Sequence, residues 1–241
     1  MTEEKAQITR AHEDYLKAIY HLEQENKRVS TTEVADAMGV SAASATNMLK
    51  RLAALHLVEY QPYQGVRLTE AGRNVALEVI RHHRLLELFL AQALGMPWDK
   101  VHEEADRLEH VISEELEEAV ARFLGEPAFD PHGDPIPTRE GVVEPTDGHT
   151  LAGLPEHTRA KVLRVRCQTP QVLRYLGAIG IYPGTELLLV EKSPFNGPLL
   201  VDVKGEKHAI SRQIGEDIIV EPVADAEEEE RTPSASYSPR T

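Results

Sequence analysis

The run STTEVADAMGVSAASATNMLKRLAALHLV, residues 30–58, decides the fold of the first third of this chain. Its opening, STTEVADAMGV, spells a short helix, with a Thr cap ahead of Glu33 and a glycine exit at Gly39. SAASATNMLKRLAALHLV then starts a second helix, whose Ala45, Met48, Leu49 and Leu52 recur at helical spacing and point inward. Helix, tight glycine-containing turn, helix is the helix-turn-helix pattern. Upstream, TRAHEDYLKAIYHLEQE (9–25) reads as an amphipathic helix with Tyr15, Ile19 and Leu22 along one side. Downstream, LVEYQ and VRLT are two short β runs joined by the turn PYQG, a hairpin and hence a wing. Residues 1–73 are therefore expected to form a winged helix-turn-helix that binds double-stranded DNA.

The second helix of such a unit enters the major groove with its N-terminal residues at the base edges. Here those residues begin Ser41, Ala42, Ala43, Ser44, Ala45, Thr46, Asn47. Small side chains at Ser41 and Ala43 allow close backbone approach, and Ser44 and Asn47 can exchange hydrogen bonds with bases or phosphates. Lys50 and Arg51 lie one turn on, placed for phosphates, and Arg67 could grip the backbone from the wing. Few strong base readers are present, so DNA shape is expected to contribute.

The net charge of −14 argues against a nucleic-acid-binding surface over the whole molecule. Its distribution restores the case. Residues 41–73 carry four Lys or Arg against two Asp or Glu, whereas 99–145 carry fourteen Asp or Glu against four Lys or Arg. DNA contact belongs to the first third and a cation site to the middle. One cysteine, Cys167, rules out an internal disulfide and any Cys-rich zinc site. No apolar run reaches the roughly 18 residues of a spanning helix, and the N-terminus has no export signal, so a cytoplasmic protein without membrane contact is expected.

Beyond the wing, a long helix runs from Thr69 or Glu70 to Gly95, and a second is expected from Pro97 to Gly125, burying Val101, Ala105, Leu108, Ile112, Leu116, Val120 and Phe123. Two helices do not enclose a core alone, so residues 74–140 are read as a helical layer that pairs as a homodimer. The Pro/Gly/Asp-rich stretch 126–150 reads as linking chain, with the linker proper at 141–159. From about 160 the period changes to two: KVLRVRC, TELLLVEKS, LLVDVKG, KHAIS and DIIVEPV are strands, with a short helix at TPQVLRYLGAIG, forming a small barrel-like domain over 160–223. Residues 224–241, acidic and then Ser/Pro-rich, are expected to be a disordered tail. The fold class is mainly α with a small β domain.

The middle segment carries a polar constellation. In HEEADRLEH (102–110), His102, Asp106, Glu109 and His110 stand at offsets 0, 4, 7 and 8, one narrow stripe of a helix. His83 and Glu87 lie one turn apart on the preceding helix, and Asp14 is polar beside the apolar Tyr15 and Leu16 on the first. A Glu–His pair on an acidic helix is ordinarily a solvated face, and an i,i+4 pair a helix-stabilising contact. Imidazoles and carboxylates without sulfur, gathered beside a winged helix, form instead a hard-to-borderline ligand set. It suits Mn²⁺ or Fe²⁺ better than copper, with Zn²⁺ competing through the histidines.

In order and spacing, these pieces resemble the diphtheria toxin repressor family of iron- and manganese-dependent repressors. The resemblance rests on EDYLKAIYHLE (13–23), LTEAGR (68–73), IRHHRLLE (80–87), PWDKVHEEADRLEHVIS (97–113) and DPHGDPIP (130–137). LGAIGIYPGTELLLVEKSPFNGPLLVDV (176–203) resembles the family's SH3-like third domain, found also in FeoA-like proteins. The resemblance implies metal ligands at Asp14, His83, Glu87, His102, Asp106, Glu109 and His110. Aspartate at 14 and the absence of sulfur at 106 place the chain nearer the manganese branch, with Fe²⁺ the alternative ion. It further implies repression of metal-uptake genes, a dual activator–repressor role remaining open. Two departures stand out. Where the manganese branch has a glutamate one turn after the first-helix aspartate, this chain has Lys17. Where third domains offer a glutamate and a glutamine to an ancillary metal site, it has Gln168 and Gln171. The rival from another class is a metal-dependent hydrolase, but no nucleophile or substrate-clamping loop is evident and the winged helix would be unexplained. The chain is therefore not expected to be an enzyme.

Overall fold

The computed structural model describes residues 8–24 and 28–223; the tail expected at 224–241 lies outside the described residues. The chain divides into two compact units, residues 1–131 with 135–145, and residues 132–134 with 146–241. No helix among the described residues is long and apolar enough to cross a membrane.

The first unit opens with α1 (Arg10–Glu23), α2 (Thr31–Ala37) and α3 (Ala42–Ala54), then β1 (Val58–Gln61) and β2 (Gly65–Leu68). α2 is capped by Ser30 rather than by a threonine. The Ser30 side chain accepts from the Glu33 amide at 3.1 Å while Glu33 accepts from the Ser30 amide at 2.7 Å. That reciprocal box needs a glutamate three residues after the cap, which selects Ser30. Ser41 caps α3 in turn, accepting from the Ser44 amide. Leu16, Ile19, Leu49 and Leu52 are fully buried between the three helices and the hairpin, each stabilising by roughly 1.5–3 kcal/mol. β1 and β2 pair antiparallel with Glu59 opposite Arg67, forming the wing.

Thr69 caps α4 (Glu70–Gln92) and also donates to the His56 carbonyl, tying the helix to the loop before the wing. Gly72 sits where α4 crosses that segment: a Cβ there would fall 1.9 Å from the Leu57 carbonyl oxygen. Only glycine permits so close a crossing.

The helix expected over 97–125 is two helices, α5 (Val101–Leu108) and α6 (Glu114–Phe123). Ser113 restarts the chain as an N-cap, accepting from the Leu116 amide at 3.3 Å, and the acidic first turn Glu114, Glu115, Glu117 suits the positive end of a helix. The break puts the apolar stripe out of phase. Val101, Ala105 and Val120 are buried, but Leu108, Leu116 and Phe123 are exposed on the single chain.

The Pro-rich stretch after α6 is not loose chain. Ile136 is buried and its amide donates to the Ala128 carbonyl at 2.8 Å. Two α4 arginines bind its carbonyls, Arg84 to Pro135 at 2.5 Å and Arg81 to Pro137 at 2.8 Å. Prolines fix an extended path whose carbonyls are presented outward, and the arginines use them. The segment expected to link at 141–159 is likewise structured from His149 onward.

The second unit is a six-stranded antiparallel sheet in the order β3-β8-β4-β5-β6-β7. Its strands are β3 (His149–Thr150), β4 (Thr158–Val165), β5 (Glu186–Lys192), β6 (Leu199–Val203), β7 (Glu206–Ile210) and β8 (Ile218–Pro222). α7 (Pro170–Ala178) joins β4 to β5, and the short α8 (Arg212–Asp217) precedes β8. Alternating inward residues, Val162, Leu187, Leu189, Val201 and Val220 among them, make its core.

Candidate metal centre and nucleic-acid interface

Three helices of the first unit deliver the polar groups. α1 presents Glu13, Asp14 and Lys17 beside its buried Tyr15 and Leu16; α4 presents His83 and Glu87; α5 and the turn after it present His102, Asp106, Glu109 and His110. All seven ligands expected from the sequence converge there.

They form two adjoining groups. In the first, His110 Nε2 lies 2.8 Å from Asp14 Oδ1 and 3.2 Å from Glu109 Oε1, while its Nδ1 is 2.5 Å from Glu13 Oε2. No well-directed hydrogen bond engages Nε2, although it is buried. In the neutral ring, a proton on Nδ1 held by the Glu13 carboxylate makes Nε2 a lone pair facing two carboxylate oxygens. Three electron-pair donors aimed at one another are what a cation relieves, so this donor set fits a divalent metal. In the second group, His83 Nε2 meets Glu87 Oε1 at 2.9 Å and His102 Nδ1 at 3.0 Å, with Asp106 Oδ2 3.7 Å from His102 Nε2. His83, His102 and Asp106 each offer an atom within 4.8 Å of the others, as do Asp14, Glu109 and His110.

Between the groups stands Lys17. Its Nζ donates to Glu109 Oε2 at 2.8 Å and to Asp106 Oδ1 at 3.2 Å, and lies 3.2 Å from His83 Nδ1. Glu109 and His83 are themselves 2.5 Å apart. Burial opposes charge on the His83 imidazole, but hydrogen bonds with Asp106, Glu109 and Glu87 outweigh it and push its pKa up to about 10. Burial opposes charge on Asp106 and Glu109 too, yet the His83 hydrogen bond and the Lys17 ammonium hold both below the usual carboxylate range. A raised histidine contributes stability in full below its unfolded value near 6.5 and loses it as pH climbs through about 10. Depressed carboxylates contribute above their ordinary range and lose it in acid. Thermal melts in EDTA should therefore show the cluster's contribution greatest between about pH 5 and 6.5 and declining toward pH 10. A flat profile above pH 7 would contradict this balance.

The DNA-facing candidates lie on α3 and the wing. Ala43, Ser44, Asn47, Lys50 and Arg51 are exposed along α3, opposite the buried Ala45, Leu49 and Leu52. Ser41 and Ser44 hydroxyls lie 3.0 Å apart. Arg67 is engaged on the wing itself, its Nε 2.6 Å from Glu59 Oε2. A cavity of about 550 Å³ between α3 and the wing is lined by Arg28, Thr31, Thr32, Thr46, Lys50 and Tyr63 among others. In the second unit, Gln168 donates to Asp134 at 2.5 Å and Gln171 is exposed in the first turn of α7.

Residues 7–66 match the family "Iron dependent repressor, N-terminal DNA binding domain", 69–138 its "metal binding and dimerisation domain", and 149–222 the FeoA domain. The diphtheria toxin repressor of Corynebacterium jeikeium (strain K411) is 33% identical over 171 residues, 71% of this chain and 68% of that protein. This chain belongs to the iron-dependent repressor family. The iron-dependent repressor IdeR of Mycobacterium tuberculosis (strain ATCC 25618 / H37Rv) is 37% identical over 132 residues, 55% of this repressor and 56% of its own length. A manganese-dependent transcriptional repressor, solved in complex with manganese, aligns with this repressor at TM-score 0.79 and 36% identity. The alignment covers 88% of this chain and 100% of that one. As a family member, this repressor has a DNA-binding domain followed by a metal-binding dimerisation domain.

Proposed function

We propose that this repressor responds to Mn²⁺, with Fe²⁺ the alternative, that Asp14, Asp106, Glu109 and His110 with His83, Glu87 and His102 hold the ion, and that it acts as a homodimer on operator DNA without a catalytic step. The observation that carries this is His110, which reaches both Glu13 and Asp14 on α1 from the end of α5. α1 packs within the winged-helix core, whereas α5 belongs to the segment matching the dimerisation domain. The converging donors are all nitrogen and oxygen; Cys167 lies in the other unit. That chemistry favours Mn²⁺ or Fe²⁺, with Zn²⁺ a competitor in vitro.

Bound there, a divalent cation would neutralise the carboxylates and cross-link the reading head to the pairing layer. The residues do the rest. Glu13 orients the His110 ring by holding Nδ1, and Arg10 donates to the Asp106 carbonyl at 3.1 Å, a second tie between α1 and α5. Leu108, Val111, Leu116 and Phe123, apolar and exposed, supply the surface by which two copies pair. Two recognition helices then meet half-sites roughly 34 Å apart, so fixing α1 against α5 fixes their separation. Repression of metal-uptake genes follows if operator occupancy rises with the ion.

The test is operator-fragment affinity titrated with Mn²⁺, Fe²⁺ and Zn²⁺, anaerobically for iron. Affinity should rise with Mn²⁺ at the lowest free concentration consistent with cellular supply. Arg51→Glu should weaken DNA binding at every metal concentration and leave metal stoichiometry unchanged. DNA affinity indifferent to all three ions would overturn the proposal.

A further inference from the structure

His82, the neighbour of His83 on α4, faces a different set of groups. It is 7% exposed, and its Nδ1 lies 3.1 Å from the Glu109 carbonyl oxygen. A carbonyl only accepts, so Nδ1 carries a proton, and in the neutral ring Nε2 is then a lone pair. That Nε2 is buried and makes no hydrogen bond; Glu117 Oε2 is 3.4 Å away. A ring nitrogen of His82 and one carboxylate oxygen each of Glu78 and Glu114 lie within 4.8 Å of one another. With Nδ1 committed to the carbonyl, Nε2 is the ligating atom. Glu78 stands one turn before His82 on α4, and Glu114 opens α6.

The surroundings suit a cation. An N–H donated to a backbone carbonyl by the far ring nitrogen is the outer-shell bond that metal-bound histidines commonly make. A cavity of about 510 Å³ borders the two carboxylates, its lining including Asn74, Glu78, Arg81, Glu114, Glu117 and Glu140. The two arginines at the cavity are already engaged. Arg81 holds Glu117 at 2.5 Å and the Pro137 carbonyl at 2.8 Å, and Arg139 holds Glu118 at 2.5 Å.

We propose that Glu78, His82 and Glu114 form an additional site for a first-row divalent cation, Mn²⁺ or Zn²⁺, separate from the ligand set at Asp14 to His110. It stands independently of the function proposed above, because none of its three side chains belongs to that set.

The experiment is metal stoichiometry of the full-length protein by equilibrium dialysis against Mn²⁺ and, separately, Zn²⁺, paired with anomalous diffraction from crystals grown in each ion. Glu78→Gln and Glu114→Gln together are isosteric changes at exposed positions, and their effect on folding is checked by thermal melt. The double variant should bind one ion fewer per chain than wild type, and wild-type crystals should show an anomalous peak about 2.1 Å from His82 Nε2. Asp14→Asn, which alters the principal set, should leave that peak in place. Equal stoichiometry in wild type and double variant, or no peak at Nε2, would overturn the site while leaving the function proposed above intact.

Discussion

Replacing Glu109 and His110 together with alanine should abolish the tightening of DNA binding by Mn²⁺. Coupling between two ligand sites is typically ~1–3 kcal/mol, so wild type should gain roughly 5–150-fold in operator affinity on saturation, and the double variant nearly nothing. The size follows from position. Glu109 is 2% exposed and touches Lys17, His83 and His110, and His110 is the residue that joins α5 to Glu13 and Asp14 on α1. Without both, the imidazole contacts from the end of α5 to Glu13 and Asp14 on α1 are lost. Linkage makes the effect reciprocal, so operator DNA should tighten Mn²⁺ binding to wild type by the same factor and to the variant not at all. Loss of Glu109 also leaves Lys17 short of a partner, so a single His110→Gln variant and a thermal melt separate uncoupling from unfolding. Mn²⁺-stimulated DNA binding at wild-type strength in a folded double variant would sink the assignment.

Much of this arrangement was legible because it is local. Helix periodicity places His83 with Glu87 and His102 with Asp106, and the structure brings each pair together. The small residues opening α3 and the turn between β1 and β2 are likewise nearest-neighbour signals. What escaped depends on residues far apart in the chain. Glu13 looks like one more charge on an amphipathic helix until α5 is laid beside it, 97 residues on. The break after Glu109 was masked by a sequence rich in good helix formers on both sides, although Ser113 ahead of three glutamates is a capping signal that outweighs them. The prolines of 130–137 suggested loose chain because composition does not reveal that Arg81 and Arg84 bind their carbonyls. Arg67 is the opposite case. Its pairing with Glu59 follows from the hairpin register and could have been read from the turn.

Lys17→Met should destabilise the protein in EDTA and tighten its grip on Mn²⁺. Lys17 Nζ bonds both carboxylate oxygens of Glu109, whose side chain is 1% exposed, and one oxygen of Asp106. Removing one partner of a buried ion pair costs ~3–5 kcal/mol. The lysine side chain is 16% exposed and Asp106 faces solvent, so the lower end, about 3 kcal/mol, is the expected loss in urea unfolding with EDTA present. On the function proposed above, the same ammonium must give up Glu109 before that carboxylate can serve as a ligand. The variant has no such contact to break, so what it loses in stability returns as affinity. At 1.4 kcal/mol per tenfold, 3 kcal/mol corresponds to an upper bound of ~100-fold in Mn²⁺ affinity. Saturating Mn²⁺ should therefore bring the unfolding free energies of variant and wild type back together. On the function proposed above, Lys17 would set the metal concentration at which the repressor responds, as a tethered cation among the expected ligands. A Lys17→Met protein as stable as wild type in EDTA, with unchanged Mn²⁺ affinity, would show that the ammonium exerts no such control.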